Sequence, residues 1–186
     1  NRRVQTLRAT HEAIMVGVGT VLGDDPLLTV RQNGLDQRPL RVVLDSALRL
    51  PPDSRLCASP APTLVFAAAN ASAEREAALR ARGVEVERVG ETRVDLAEAL
   101  RALGRRGITR VLSEGGPTVG SALLRARLAD AVLIFTAEKP LGREGRPALE
   151  PDALAALADV HAYVEEAGAS YGPDMLRRWR RVGAAG

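Results

Sequence analysis

Glu114 stands in VLSEGGPTVG (111–120), a carboxylate set directly before two glycines and a proline. Neighbouring glycines ahead of a helix shape a backbone that suits phosphate. Free amides from Gly116 to Gly120 would open that helix, and Thr118 and Ser121 could add hydroxyl donors. A structural turn is the alternative reading. Glu114 itself would repel phosphate, so it asks for a different partner. A second loop, GVGTVLGDDP (17–26), holds Gly17, Gly19 and Gly23 as G-x-G-x-x-x-G, with Asp45 at the end of the next strong strand. That spacing is one residue too long for the dinucleotide fingerprint, in which such an acid binds ribose. Asp24-Asp25-Pro26 stops any helix there after about one turn, which disfavours a standard Rossmann domain. Close backbone packing is the other use of these glycines. Arg8, at helical spacing from Val4, and Arg31, which ends LLTVR, could converge on an anion near this loop. Solvated surface arginines are the alternative.

Other chemistries find no support. His11 and His161 are the only histidines and lie in no HExxH or Cys-rich frame, so no metal site is expected. No Ser sits in a G-x-S-x-G elbow, and Gly-Lys-Ser/Thr is missing, which disfavours a nucleoside triphosphatase. Cys57 is the single cysteine, in a Pro-rich connection; it reads as an inert thiol in an intracellular, reducing setting. The net charge is +3, but the basic residues are 25 Arg and Lys139, interspersed with 23 acids, with only 3% aromatic residues to stack on bases. That pattern argues against nucleic acid and fits an anionic small substrate better. No apolar run approaches the roughly 20 residues of a membrane span.

The elements that must position these groups follow from periodicity. RVQTLRATHE (3–12) has helical spacing, and AIMVGVG (13–19), PLRVVLDS (39–46) and TLVFAAA (63–69) read as strands. SAEREAALRARG (72–83) predicts a helix capped by Ser72 and closed by Gly83. VEVERV (84–89) predicts a strand, and VDLAEALRALGRRG (94–107) a helix capped by Asp95 and ended at Gly107. ITRVLSEGG (108–116) predicts a strand, PTVGSALLRARLA (117–129) a helix with Pro in its first turn, and DAVLIFTAEK (130–139) another strand. A short helix near 151–158 precedes two strands joined around Gly172-Pro173-Asp174. Alternating strands and helices imply an α/β fold, a largely parallel sheet covered on both faces, with an antiparallel hairpin at one edge. With no linker long enough to divide it, 1–186 reads as a single domain.

VQTLRATHEAIMVGVGTVLGDDPLLTVR, RPLRVVLDSALRLPPDSRL and GITRVLSEGGPTVGSALLRARLADAVLIFTAEKPLG occur in an order that closely resembles the reductase domain of riboflavin-biosynthesis proteins, the RibD C-terminal family, over roughly residues 3 to 150. The resemblance implies a dihydrofolate-reductase-like three-layer fold. It also implies an NADPH-dependent reductase that converts 5-amino-6-(5-phosphoribosylamino)uracil to the ribitylamino product. Arg8, Leu28 and Arg31 match substrate-binding positions, the arginines on the 5′-phosphate. Thr20, Asp24 and Ser46 match cofactor-binding positions, as do Gly116, Pro117, Thr118, Val119, Gly120, Ser121 and Ala122 of the diphosphate loop. Glu114 matches a substrate contact, and Glu114 and Asp24 are the carboxylates expected to serve catalysis by hydrogen bonding or proton transfer. Glu114 then marks the boundary between two ligands, facing the substrate while the amides after Gly115 face the cofactor. The family further implies a cytoplasmic homodimer, with no membrane or nucleic-acid partner. It normally opens with an S-x-D-G strand, which is expected to be cut away, disordered or unrecorded ahead of NRRVQ. It is often fused to a zinc deaminase whose H-x-E and P-C-x-x-C ligands this chain lacks, so deamination would have to come from another domain. A reductase for a different substrate and a non-catalytic binding module are the rival readings.

Overall fold

A computed structural model describes residues 2–30, 38–140, 142, 145 and 147–184. The chain forms two compact units, Asn1–Gly116 and Pro117–Gly186.

The first unit is a five-stranded sheet in the order β4-β3-β2-β1-β5, every neighbouring pair parallel. Its strands are β1 (Ala13–Gly17), β2 (Leu40–Leu44), β3 (Thr63–Ala67), β4 (Glu85–Arg88) and β5 (Val111–Ser113). The unbroken apolar runs of β1 and β3 suit central strands covered on both faces, and β3 is buried along its whole length. Ile14, Val16, Val43, Val65 and Leu79 anchor the main apolar cluster, all at or below 1% exposure. Around the sheet run α1 (Arg2–Ala9), α2 (Val18–Asp24), α3 (Arg55–Ala58), α4 (Ala73–Arg80) and α5 (Leu96–Arg105).

Local chemistry explains where these helices start and stop. The Ser72 hydroxyl accepts from the Arg75 N–H, and Asp95 accepts from the Glu98 N–H, so both predicted caps form. Gly83 and Gly107 follow their helices at φ 77° and 81°, in the left-handed region that favours glycine. The loop at 17–26 departs from the sequence reading. The strand ends at Gly17, and α2 is a seven-residue helix rather than a single turn. Gly17 caps it with extended backbone and no side-chain bond, a start that leaves no trace in the residue pattern. Asp25 closes it in the left-handed region at φ 38°, donating its N–H to Val21 O.

One polar group is sealed into this unit. Arg41, at the second position of β2, is wholly buried. Its Nη2, with two protons to share, lies within hydrogen-bond reach of Leu56 O at 2.8 Å, Ser59 O at 3.3 Å, Thr63 Oγ1 at 2.6 Å and also of Ala61 O. These acceptors are main-chain carbonyls and one hydroxyl, and no described carboxylate pairs with the guanidinium.

The second unit carries α6 (Pro117–Arg125), β6 (Ala131–Thr136), α7 (Pro151–Ala156), β7 (Tyr163–Tyr171) and β8 (Asp174–Arg181). Its three strands are antiparallel in the order β6-β8-β7. Gly172 supplies the positive φ, 64°, that the predicted hairpin turn requires. Leu124, Ala153, Leu157, Tyr163 and Trp179 form the core of this unit, and the Tyr163 hydroxyl donates to Ala129 O at 3.0 Å. Arg125 ties α6 to α7 through Asp152 at 2.6 Å and through Glu150. No helix among the described residues is long and apolar enough to cross a membrane.

Candidate active site

Because β2, β1 and β5 are parallel neighbours, their carboxyl ends lie along one edge of the first sheet. Ligands in open α/β sheets settle at that edge. Here it presents Ser46 after β2, the start of α2 after β1, and Glu114 after β5. The Glu114 N–H donates to Met15 O at 2.9 Å and so extends the β1–β5 ladder by one residue.

The Glu114 carboxylate is held by Arg8, at the end of α1. Arg8 Nε donates to Oε1 at 2.7 Å and Nη2 to Oε2 at 2.6 Å, while Nη1 donates to Thr29 O at 3.1 Å. This two-pronged geometry is the strongest form of the arginine–carboxylate pair. Both side chains are largely covered, at 15% and 22% exposure. The hydrogen bond to Glu114 raises the Arg8 pKa, outweighing the opposing effect of burial. Two of the four residues expected to touch substrate, Arg8 and Glu114, are therefore brought together, and they grip each other.

The other predicted residues are placed as follows. Arg31 lies outside the described residues. Leu28 is 3% exposed and packs in the main core with φ 50°, so only its main chain is left to meet a ligand. Thr20 sits in α2, its Oγ1 3.9 Å from where a Cβ on Gly116 would lie. Among the described residues nothing else comes within 4 Å of that point, and nothing lies within 4 Å of a Cβ built on Gly19 or Gly23. Close backbone packing thus does not explain Gly19, Gly23 or Gly116. Their bare surfaces leave room for a ligand to approach the main chain, which fits a nucleotide cofactor. Asp24 is exposed at the last residue of α2, whereas Asp25 accepts from the Arg55 N–H at 2.9 Å and caps α3. The Ser46 hydroxyl accepts from the Val94 N–H at 3.0 Å.

In the second unit, Pro117, Thr118, Val119, Gly120, Ser121 and Ala122 make the opening turns of α6, with Thr118 exposed. Ser121 differs from its expected role as an outward hydroxyl donor. It is wholly buried, and its Oγ accepts from the Glu150 N–H at 2.8 Å. Gly120 also has a packing reason, since a Cβ there would meet Leu149 Cδ2 at 3.0 Å.

Two features escaped the sequence. One is the Arg8–Glu114 pair. The other is a groove lined by Leu48, Arg49, Leu50, Pro51, Pro52, Arg75 and Ala78, just past Ser46. Arg75 Nη1 donates to Ala47 O at 3.2 Å, and among the described residues neither Arg49 nor Arg75 forms an ion pair with a carboxylate. The only sign in the sequence is the alternation of Leu48, Arg49 and Leu50, which turns out to be buried, exposed, buried.

Beneath that groove, Asp45 is 1% exposed and out of reach of any ribose. Burial pushes its carboxyl up from the usual range, against the hydrogen bond from the Leu50 amide and the charge of Arg49. A carboxyl raised in the folded state stabilises the fold most while protonated, and that contribution is lost as pH rises from the ordinary carboxylate range through the raised value. Asp45→Asn is therefore expected to melt a few degrees above the unmodified protein at neutral pH. The gap should close as the pH falls below about 4, the ordinary aspartate value. Thermal melts across pH measure this directly.

Comparison with known proteins places this geometry. The RibD C-terminal domain matches residues 1–169. The 2,5-diamino-6-ribosylamino-4(3H)-pyrimidinone 5′-phosphate reductase of Methanothermobacter thermautotrophicus is 38% identical, over 94% of this chain and 82% of its own. RibD from Acinetobacter baumannii superposes with a TM-score of 0.79 at 26% identity, over 97% of this chain and 49% of that one. A diaminohydroxyphosphoribosylaminopyrimidine deaminase/5-amino-6-(5-phosphoribosylamino)uracil reductase from Thermotoga maritima gives 0.72 at 27% identity, over 97% and 48%. The chain spans about half the length of these last two proteins.

Proposed function

Since the chain belongs to the RibD C-terminal domain family, we propose that it reduces a 5′-phosphorylated ribosylaminopyrimidine with NADPH, as a step in riboflavin biosynthesis. The fold is dihydrofolate-reductase-like, with a mostly parallel sheet and an antiparallel C-terminal hairpin. The substrate we assign is 5-amino-6-(5-phosphoribosylamino)uracil. Its ribosyl ring opens as the C1′–O4′ bond breaks, O4′ takes a proton, and the nitrogen, keeping its hydrogen, forms an iminium with C1′. C1′ then accepts a hydride, the nitrogen is left as an amine, and the ribitylamino product and NADP+ result. NADPH supplies that hydride when bound; the protein's work is to orient, to exclude water and to manage the proton.

The observation that carries this reading is the Arg8–Glu114 fork at the carboxyl edge of β5, beside the bare main chain of Gly116. With both oxygens held by Arg8, Glu114 acts as a fixed acceptor for substrate N–H or hydroxyl groups. We assign the proton to Asp24, the exposed carboxylate at the end of α2. The residues proposed to hold the cofactor are Thr20, Asp24, Ser46 and Gly116, with the main chain of Pro117 to Ala122 at the start of α6. Arg49 and Arg75 are suited to a 2′-phosphate, which distinguishes NADPH from NADH. Arg8 and Arg31 remain assigned to the substrate phosphate, Arg8 through the guanidinium protons that Glu114 and Thr29 leave over. The protein is proposed to work as a cytoplasmic homodimer.

NADPH oxidation tests the reading, with the 2-oxo and 2-amino pyrimidines supplied in parallel, each with and without its 5′-phosphate. Turnover with the phosphorylated 2-oxo compound is expected. Preference for the 2-amino compound would move the assignment to the activity for which the Methanothermobacter protein is named. Turnover indifferent to the phosphate would overturn the substrate class.

A further inference from the structure

The turn from Asp45 to Leu50 is built around a carboxylate that no ligand can reach. Asp45 Oδ2 accepts from the Leu50 N–H at 2.7 Å, and its main-chain carbonyl accepts from the Leu48 N–H at 3.1 Å. Its own N–H donates to Phe66 O at 2.9 Å, which ties the turn to the neighbouring strand. Asp45 Oδ1 is buried with no hydrogen-bond partner among the described residues. Leu48 and Leu50, each 2% exposed, sink into the main core on either side of exposed Arg49. Leu48 takes the left-handed region, φ 52°, where a leucine is strained.

An orphaned buried carboxylate oxygen and a left-handed leucine are both unfavourable, and a surface turn needs neither. Together they produce one result: Arg49 projects from a fixed turn, over a buried negative group, into the groove it shares with Arg75. Ser46, one residue beyond Asp45, is held separately, its hydroxyl accepting from the Val94 N–H at 3.0 Å.

We infer that Asp45 is a positioning residue for cofactor choice, holding the Ser46–Leu50 turn so that Arg49 and Arg75 meet the 2′-phosphate of NADPH. This rests on the NADPH reading above and adds to it a residue that touches no ligand. Loss of the carboxylate should weaken phosphate recognition while leaving the rest of the cofactor's contacts in place.

The test compares Asp45→Ala, Asp45→Asn and Arg49→Ala by kcat/KM for NADPH and for NADH, with melting curves to confirm folding. Asp45→Ala should lower kcat/KM for NADPH about tenfold through KM, the equivalent of ~1.4 kcal/mol or one charge-assisted hydrogen bond. Its values with NADH should stay within about twofold, on the scale of that same free-energy relation. Asp45→Asn, whose amide oxygen can still accept from Leu50, should restore most of the NADPH preference. Should Asp45→Ala fail to fold, Asp45→Ser, too short to reach Leu50, takes its place. Equal losses with both cofactors would show a merely structural role and overturn the inference, as would no change with either. An Asn variant as impaired as Ala would also overturn it. Arg49→Ala separates the two readings. If it leaves the NADPH preference intact, the groove does not hold the phosphate; if it abolishes the preference while Asp45→Ala does not, only the role of Asp45 fails.

Discussion

Glu114→Gln is expected to lower kcat/KM about a hundredfold, roughly 2.7 kcal/mol of transition-state stabilisation. The glutamine keeps the shape of the side chain but removes the charge that Arg8 grips with two donors at 2.7 and 2.6 Å. The guanidinium is then left largely buried without its counter-ion, and a broken pair of this kind costs more than the intact pair contributes. Arg8→Met should cost a similar amount, because it frees the Glu114 carboxylate to rotate and leaves Thr29 O without its donor. If the two act as one unit, the double variant will be no worse than the poorer single variant, since both singles remove the same arrangement. Steady-state kinetics of the three proteins decide this. Strictly additive losses would mean that Arg8 and Glu114 serve the substrate independently. Melting curves guard against misreading instability as lost activity.

Arg41→Ala should lower folding stability by about 3 to 4 kcal/mol, a large share of the 5–15 kcal/mol typical of a domain. Arg41 binds the stretch from Leu56 to Thr63 to β2, and with its removal the buried carbonyl of Leu56 and the part-buried carbonyls of Ser59 and Ala61 lose a shared donor. Each unsatisfied group costs about 1–3 kcal/mol, partly relieved by water entering the space. Arg41→Lys should fall between, since its single ammonium can serve the acceptors around Nη2 but not also Pro62 O and Leu27 O, which Nε and Nη1 meet at 3.5 Å. Urea denaturation measures the midpoint and slope. A loss for Arg41→Ala under about 1 kcal/mol, the scale of a surface substitution, would show that the cage is ornamental.

What could be seen in the sequence was local. Ser72, Asp95, Gly83 and Gly107 work within a turn of their own helices, so residue type and spacing disclosed the bounds of α4 and α5. The hairpin at Gly172 was visible for the same reason. The start of α2 was not, because Gly17 caps it without a side-chain bond. Arg41 looked like one more polar residue in a strand, and its burial depends on acceptors fourteen to twenty-two residues away. Arg8 and Glu114 were each picked out by residue type and position, and the family resemblance then matched both to substrate contacts. Their mutual bond, across 106 residues of chain, is a tertiary contact that neither local pattern discloses. Ser121 illustrates the opposite error. Its position in a glycine-rich helix start suggested a ligand hydroxyl, and packing against the residues before α7 turned it inward.

The central claim is that this fold transfers hydride from NADPH to C1′ of a phosphoribosylaminopyrimidine. Incubating the protein with 5-amino-6-(5-phosphoribosylamino)uracil and NADPH deuterated at C4 of the nicotinamide, on the transferred face, tests it most directly by mass spectrometry of the product. A ribitylamino product carrying a single deuterium at C1′ is expected, formed in step with NADP+. A product without deuterium, or no NADPH consumed by a folded protein, would contradict it.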